Sequence, residues 1–334
     1  MPETSTSPTP SRLPGLGLSA ALAAVAYYFG QLLPVIGGPV FAILLGLLVA
    51  SVRKPGAGFK PGLQLASKQV LQLAIILMGF GMSLGQVFET GQESLLVMLT
   101  TLLVCLSAAW LIGRALGVSA NLIALVGAGT GICGASAIAA VAPVVKAEER
   151  EVAYSISTIF AFNIVAVLLF PAIGHLIGFS QQAFGLWAGT AINDTSSVVA
   201  AAYAYGLEAG SYATVVKLAR SIMIIPIVFG LSAIRLRASG QGAGVKLSKL
   251  IPWFIVWFLA AALLVSLGLV PDQLTTWLPK VGKFLIVVAL AAVGLSADLR
   301  AIARTGWRPL ALGAILWVLV ATTSLIAQWL MGQI

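Results

Sequence analysis

GAGTGICGASAIAA, residues 127–140, places Gly127, Gly129, Gly131 and Gly134 inside an apolar run long enough to span a bilayer. Each glycine weakens a helix interior by about 1 kcal/mol relative to alanine, so the run reads as an interrupted helix. Irregular backbone at membrane depth is tolerated only where it is buried in protein or lines a cavity. Half-helix ends of that kind hold substrates and ions in secondary transporters. Thr130, Gly131, Cys133, Gly134 and Ser136 are therefore candidate substrate-binding residues. Close packing through the Gly127/Gly131 GxxxG pair is the competing reading, and the polar neighbours Thr130 and Ser136 favour a site. Gly129, Gly131 and Gly134 also satisfy GxGxxG, but a dinucleotide site needs a strand before the glycines. Here only apolar helix surrounds them, and no cofactor or metal is expected.

Sixty residues further on, AGTAINDTSSVVAA (188–201) matches AGTGICGASAIAAV (128–141), with Ala, Gly, Thr, Ile, Ser and a later Ala identical. In an eleven-span topology these two stretches run parallel. The second contains Asn193, Asp194, Thr195 and Ser196, a polar cluster with an intramembrane carboxylate. A charge at such depth is expected to be paired or functional. Lys217 and Arg220 supply partners in the next span, their i, i+3 spacing putting them on one helical face. Two readings stay open: an ion pair fixing two helices, or a site of net positive charge suited to an anion, with Asp194 exchanging a coupling proton. Asn163 either lines the same pathway or bonds between helices. The sequon at Asn193–Thr195 lies within a span and is accidental.

Outward from this centre the whole chain is apolar. Of 334 residues, 60% are hydrophobic and only 9% charged, against about 25% charged in an ordinary soluble domain. At roughly 20 residues per span, the expected fold is an all-α polytopic membrane protein of about eleven transmembrane helices. After the first span, over 16–33, the segments fall near 36–52, 68–86, 94–116, 120–145, 152–176, 183–204, 211–234, 250–269, 281–298 and 308–331. Residues 1–15, rich in Ser, Thr and Pro, read as a disordered tail, and 16–34 as an extra N-terminal helix.

GMSLGQVFETG from Gly81 resembles GLSADLRAIARTG from Gly294, each at a helix end and in opposite senses through the membrane. That predicts an inverted five-helix repeat, 35–178 against 179–334, with interrupted helices. With the N-terminus cytoplasmic, the inside loops collect Arg12, Arg53, Lys54, Lys60, Lys68, Arg114, Arg235, Arg237, Lys246, Lys249, Arg300, Arg304 and Arg308. Only Lys146, Arg150, Lys280 and Lys283 fall outside, which fits the positive-inside rule. The formal charge of +9 therefore sets orientation, and nucleic acid binding has no support. Cys105 and Cys133 lie in apolar segments and make no disulfide framework. His175, near a helix end, reads as structural.

Over GTGICGASAIAAVAPVVKA (129–147), FGLWAGTAINDTSSVVAAAYAYG (184–206) and VVKLARSIMIIPI (215–227), the sequence resembles the bacterial sulfate exporter family of inner-membrane proteins. That family is similar to the wider cation/proton antiporter and bile-acid symporter group. The resemblance implies crossing, interrupted helices and a moving core, with Gly129–Ser136 as one interrupted segment. The other is either 190–197 or the tenth span near Gly294.

The expected function is a secondary transporter, not an enzyme, exporting a small anion such as sulfate or a related sulfur oxyanion by alternating access, coupled to protons or sodium. A cation/proton antiporter using Asp194 is the alternative. A channel and an intramembrane enzyme rank below both, since GxSxG is absent around Ser136 and one histidine supplies no triad. Exposed apolar faces meet lipid and leave room for a homodimer.

Overall fold

In the computed structural model, residues 11–33, 37–239 and 252–334 are described, and among them every regular element is a helix. The expected tail over 1–10 and the basic residues Lys246 and Lys249 lie outside the described residues. The elements are α1 (Leu13–Leu32), α2 (Gly37–Val52), α3 (Lys60–Gln64), α4 (Leu71–Gly79), α5 (Leu84–Ala115), α6 (Ala120–Gly131), α7 (Ala135–Val145) and α8 (Glu149–Ile177). They continue as α9 (Gln181–Ala191), α10 (Thr195–Tyr205), α11 (Leu207–Ile222), α12 (Ile224–Ser239), α13 (Trp253–Ser266), α14 (Asp272–Leu295), α15 (Leu299–Arg304) and α16 (Trp307–Leu330). A π-helical turn over Leu65–Val70 joins α3 to α4. Among the described residues seven helical stretches are long and apolar enough to cross a membrane, and several shorter apolar helices accompany them. α1 begins at Leu13, inside the stretch expected to be tail.

The segments 120–145 and 183–204, expected to cross, do not. Glu151, at the start of α8, accepts from Ser119 Oγ at 2.7 Å and Asn121 Nδ2 at 3.0 Å. The chain leaving α7 is thus back beside the residues that start α6, and α6 and α7 form a hairpin. Likewise the Tyr205 hydroxyl donates to the Phe179 carbonyl, and the Tyr205 ring stacks on Phe184 with centroids 3.8 Å apart. Gln181 Oε1 accepts from Glu208 N at 2.9 Å. α10 therefore returns to where α9 began. α8, 29 residues and about 43 Å long at 1.5 Å per residue, runs from the base of the first hairpin to the base of the second. The hairpins enter from opposite faces and meet at their tips.

Both hairpins are launched by the same local chemistry. Gly117 (φ 64°) and Gly178 (φ 78°) end the preceding helices in the left-handed region, where glycine has no Cβ penalty. Two residues later, Ser119 and Ser180 cap α6 and α9 through Leu122 N and Ala183 N. The 60-residue match is thus an inverted relation, and the parallel orientation expected for it is corrected. α14, carrying Gly294, is continuous, so the second interruption is the one near Asp194.

Returning the first hairpin to its own face also moves Lys146 and Arg150. They now share the face of Arg12, Arg53, Lys54, Lys60, Arg114, Arg300, Arg304 and Arg308, here called the near face. The far face keeps Lys280 and Lys283, with Glu89, Glu93, Glu208 and Asp272.

Around the hairpins pack α5, α8, α11, α12 and α16, forming a core. α1, α2, α4 and α14 form a separate panel, with α13 between α4 and α5. The panel is held by glycine contacts: a Cβ on Gly294 would lie 2.4 Å from the Ile43 carbonyl oxygen and 3.0 Å from Gly46 Cα. At its near-face end Lys54 Nζ donates to Asp298 Oδ2 at 2.7 Å, a bond that holds the Asp298 carboxyl below its ordinary range. Gly294→Val must push α14 off α2, an overpacking cost of about 1–3 kcal/mol. The expected result is a lower thermal midpoint in detergent. Gly17→Val, where a Cβ meets nothing within 4 Å, should leave the midpoint unchanged.

Candidate functional site at the hairpin tips

A helix leaves its last four carbonyls without partners inside it, and the interruption of two helices at depth creates two such ends away from water. Lys217 and Arg220, one turn apart on α11 and both fully buried, supply the donors. Lys217 Nζ donates to the Ile132 and Ile192 carbonyls, 2.9 Å in each case. Arg220 donates from Nε to Gly131 O at 2.8 Å, from Nη2 to Thr130 O at 3.2 Å and from Nη1 to Thr190 O. Ile132 and Ile192, like Thr130 and Thr190, are equivalent positions of the 60-residue match. One lysine and one arginine therefore tie together equivalent carbonyls of both hairpins. The partial negative charge at the C-terminal ends of α6 and α9 offsets the two positive side chains.

Lys217 and Arg220 form no ion pair with Asp194, so of the two readings left open the ion pair that would fix two helices is not formed. Among the described residues the only salt bridge is Lys54–Asp298. Backbone carbonyls took the place of the carboxylate because the helix ends had no other donors. Asp194 instead caps α10, accepting from Ser196 N at 2.9 Å and from the Ser196 hydroxyl. Its own N–H donates to Asn163 Oδ1 at 3.3 Å. Asn163 stands at the middle of α8, so that helix positions the N-terminal end of α10 as α11 positions the C-terminal ends of α6 and α9.

Gly134 starts α7 at φ 68° and ψ −129°, with no side-chain cap. A Cβ there would sit 3.3 Å from Asp194 Cβ, so the tips touch through a glycine and the aspartate that matches it in the repeat. Cys133 is buried, Ser136 is exposed, and Thr195 is half-buried in the first turn of α10. The Thr130 hydroxyl and both polar atoms of the Asn193 amide are buried with no hydrogen-bond partner.

The structure thus gathers Thr130, Gly131, Cys133, Gly134, Ser136, Asn163, Asn193, Asp194, Thr195, Ser196, Lys217 and Arg220 around the meeting of the tips. The carbonyls of Ile132, Thr190 and Ile192 escaped the sequence reading. The signal was present in the matched positions, which predict equivalent backbone contacts once the hairpins are inverted. Beside Asn163 and Ser197 a narrow cleft of only about 10 Å³, room for about one water, lies between the core and the panel, lined also by Ile43, Leu47, Val293 and Gly294. His175 is elsewhere, stacked on Tyr205 at the far-face base of the second hairpin, with centroids 4.3 Å apart. No cluster of three or more His, Cys, Asp or Glu that could hold a metal occurs among the described residues. The chemistry available at the tips is that of ion recognition: fixed donors, oriented helix ends and one carboxylate.

These tips lie within residues 14–313, which match the family model described as "Conserved hypothetical protein 698". A UPF0324 membrane protein of Streptococcus pyogenes serotype M6 is 44% identical over 332 residues, covering 96% of this chain and 98% of its own length. Another from Clostridium tetani is 38% identical, covering 96% and 97%, and one from Fusobacterium nucleatum is 36% identical, covering 96% and 99%. With both hairpins and the helix bearing Lys217 and Arg220 inside the match, the chain belongs to the UPF0324 family of membrane proteins.

Proposed function

We propose that this protein is a secondary transporter that exports a small anion, sulfate or a related sulfur oxyanion, by alternating access at the hairpin tips. The observation that carries the reading is the occupancy of the carbonyl ends. Interrupted helices offer two kinds of pole: C-terminal carbonyls that coordinate cations and N-terminal N–H groups that face anions. Here the cation positions are filled by the protein's own Lys217 and Arg220. The start of α7 at Gly134 has no side-chain cap, and an anion is the charge that this pole attracts. The cleft beside Asn163 and Ser197 lies between core and panel, where movement of one against the other would open it to either face.

The near face, with its excess of basic residues, is cytoplasmic in this reading, and the membrane is the bacterial inner membrane. The cation/proton antiporter reading draws on Asp194, a carboxylate at the tips. It must explain how a cation competes with two resident ones, and for that reason it comes second.

Sulfate counterflow in proteoliposomes tests the proposal. The expected result is saturable exchange that is unchanged when choline replaces sodium on both sides, because no carbonyl cage is left for sodium to fill. Absence of exchange by folded protein would remove sulfate as the substrate. A strict sodium requirement would instead count against the resident-cation argument itself.

A further inference from the structure

The seam between core and panel holds a second cavity, of about 170 Å³, nearer the far face. Its wall includes Tyr27 and Gln31 of α1, Gly38 of α2, Tyr203 of α10 and Lys283 of α14. Three of these helices, α2, α10 and α14, also line the cleft at the tips. On α14 the wall passes from Lys283 to Gly294, on α2 from Gly38 to Leu47, and on α10 from Tyr203 back to Ser197. Eleven residues of helix are about 16 Å, so the two spaces lie one beyond the other along a single seam.

Lys283 is half-buried in this wall, and among the described residues no acceptor lies within bonding distance of its ammonium. The nearby Lys280 adds charge of the same sign. An unpaired ammonium in the wall of a partly enclosed space that tyrosines and a glutamine also line has the composition of an anion site. Low-dielectric walls strengthen its pull on small anions relative to open water.

We propose that this cavity is an outer oxyanion site, where Lys283 gathers the transported anion at the far-face end of the path to the hairpin tips. The assignment rests on the anion-transport reading, so its test must be able to fail separately from that reading. Gln31→Cys places a reactive thiol in the cavity, and the native Cys105 and Cys133 are buried, so the unsubstituted protein measures background labelling. Labelling rates with an anionic and a cationic methanethiosulfonate reagent of similar size are then compared in proteoliposomes.

A unit charge about 7 Å away in water-like surroundings changes the local concentration of each reagent about threefold, in opposite directions. The expected anionic-to-cationic preference is therefore about five- to tenfold, and it should collapse in Gln31→Cys/Lys283→Gln. Millimolar sulfate should slow labelling equally in vesicles of zwitterionic lipid and of mixed zwitterionic and anionic lipid. Equal rates for the two reagents, a preference that survives Lys283→Gln, or sulfate without effect would each overturn the site. Slowing that requires the anionic lipid and ignores sulfate would also overturn it, the headgroup phosphate then being the occupant. Charge-selective labelling competed by sulfate, in protein that carries no sulfate flux, would keep the site and sink the transport reading. Sulfate flux with unselective labelling would do the reverse.

Discussion

Arg220→Leu is expected to abolish counterflow and to lower the thermal midpoint more than any other single substitution in the core. The change keeps most of the side-chain volume while removing the donors to Gly131 O, Thr130 O and Thr190 O. A buried carbonyl left without its partner costs about 1–3 kcal/mol, so three cost about 3–9 kcal/mol, comparable to the whole stability of many domains. Arg220→Lys should recover only part of the loss, because one ammonium cannot reproduce a planar fork that serves three acceptors on two hairpins. Lys217→Met should be milder in stability, with two carbonyls affected, yet as severe in flux, since its two bonds go one to each hairpin. The check is a thermal scan in detergent beside sulfate counterflow. A stable Arg220→Leu protein with native exchange rates would show that the carbonyl ends need no resident donor, and the argument for an anion at the opposite poles would fall with it.

The reasons this centre was only half legible in the sequence are physical. Hydropathy measures how many consecutive residues tolerate lipid, and says nothing about direction. Residues 120–145 hold enough apolar side chains for one crossing, and two helices of 12 and 11 residues folded back to back contain the same ones. The clues to the return were Gly134, which permits the sharp turn, and the misplaced Lys146 and Arg150, which joined the basic face once the segment was folded back. Charge arithmetic also misled, because it pairs side chains with side chains. An ion pair of Asp194 with Lys217 and Arg220 was one of the two readings their charges allowed, whereas the acceptors that win are main-chain carbonyls of Thr130, Gly131, Ile132, Thr190 and Ile192, which any residue type would supply. The residues themselves were found because polar and glycine positions inside an apolar run are costly, and cost at depth marks either a packing need or a site. The match at an offset of 60 held the inversion all along, and an eleven-span count turned it into a parallel pair.

Asp194→Asn and Asp194→Ala are expected to separate two roles of one side chain. The carboxylate caps α10 through Ser196 N and the Ser196 hydroxyl, and asparagine can cap through its amide oxygen almost as well as aspartate. Asp194→Asn should therefore keep the native thermal midpoint. Asp194→Ala loses the cap, a change of about 1 kcal/mol, and should unfold earlier. In flux the order of effects differs. If the carboxylate carries the coupling proton, both variants lose the response of sulfate export to an imposed pH gradient, while exchange at symmetric pH survives in Asp194→Asn. The contact between Asp194 and Gly134 sharpens the expectation, because removing a negative charge from the junction of two helix N-termini should leave that junction more attractive to an external anion. Asp194→Asn is thus expected to lower the half-saturating sulfate concentration at symmetric pH, by about two- to fivefold, given that even exposed helix-end charges are worth a few tenths of a kcal/mol to about 1. A weaker sulfate affinity in Asp194→Asn, with folding intact, would mean that the carboxyl group itself helps to hold the anion, and the argument that its charge opposes the substrate at the tips would fall.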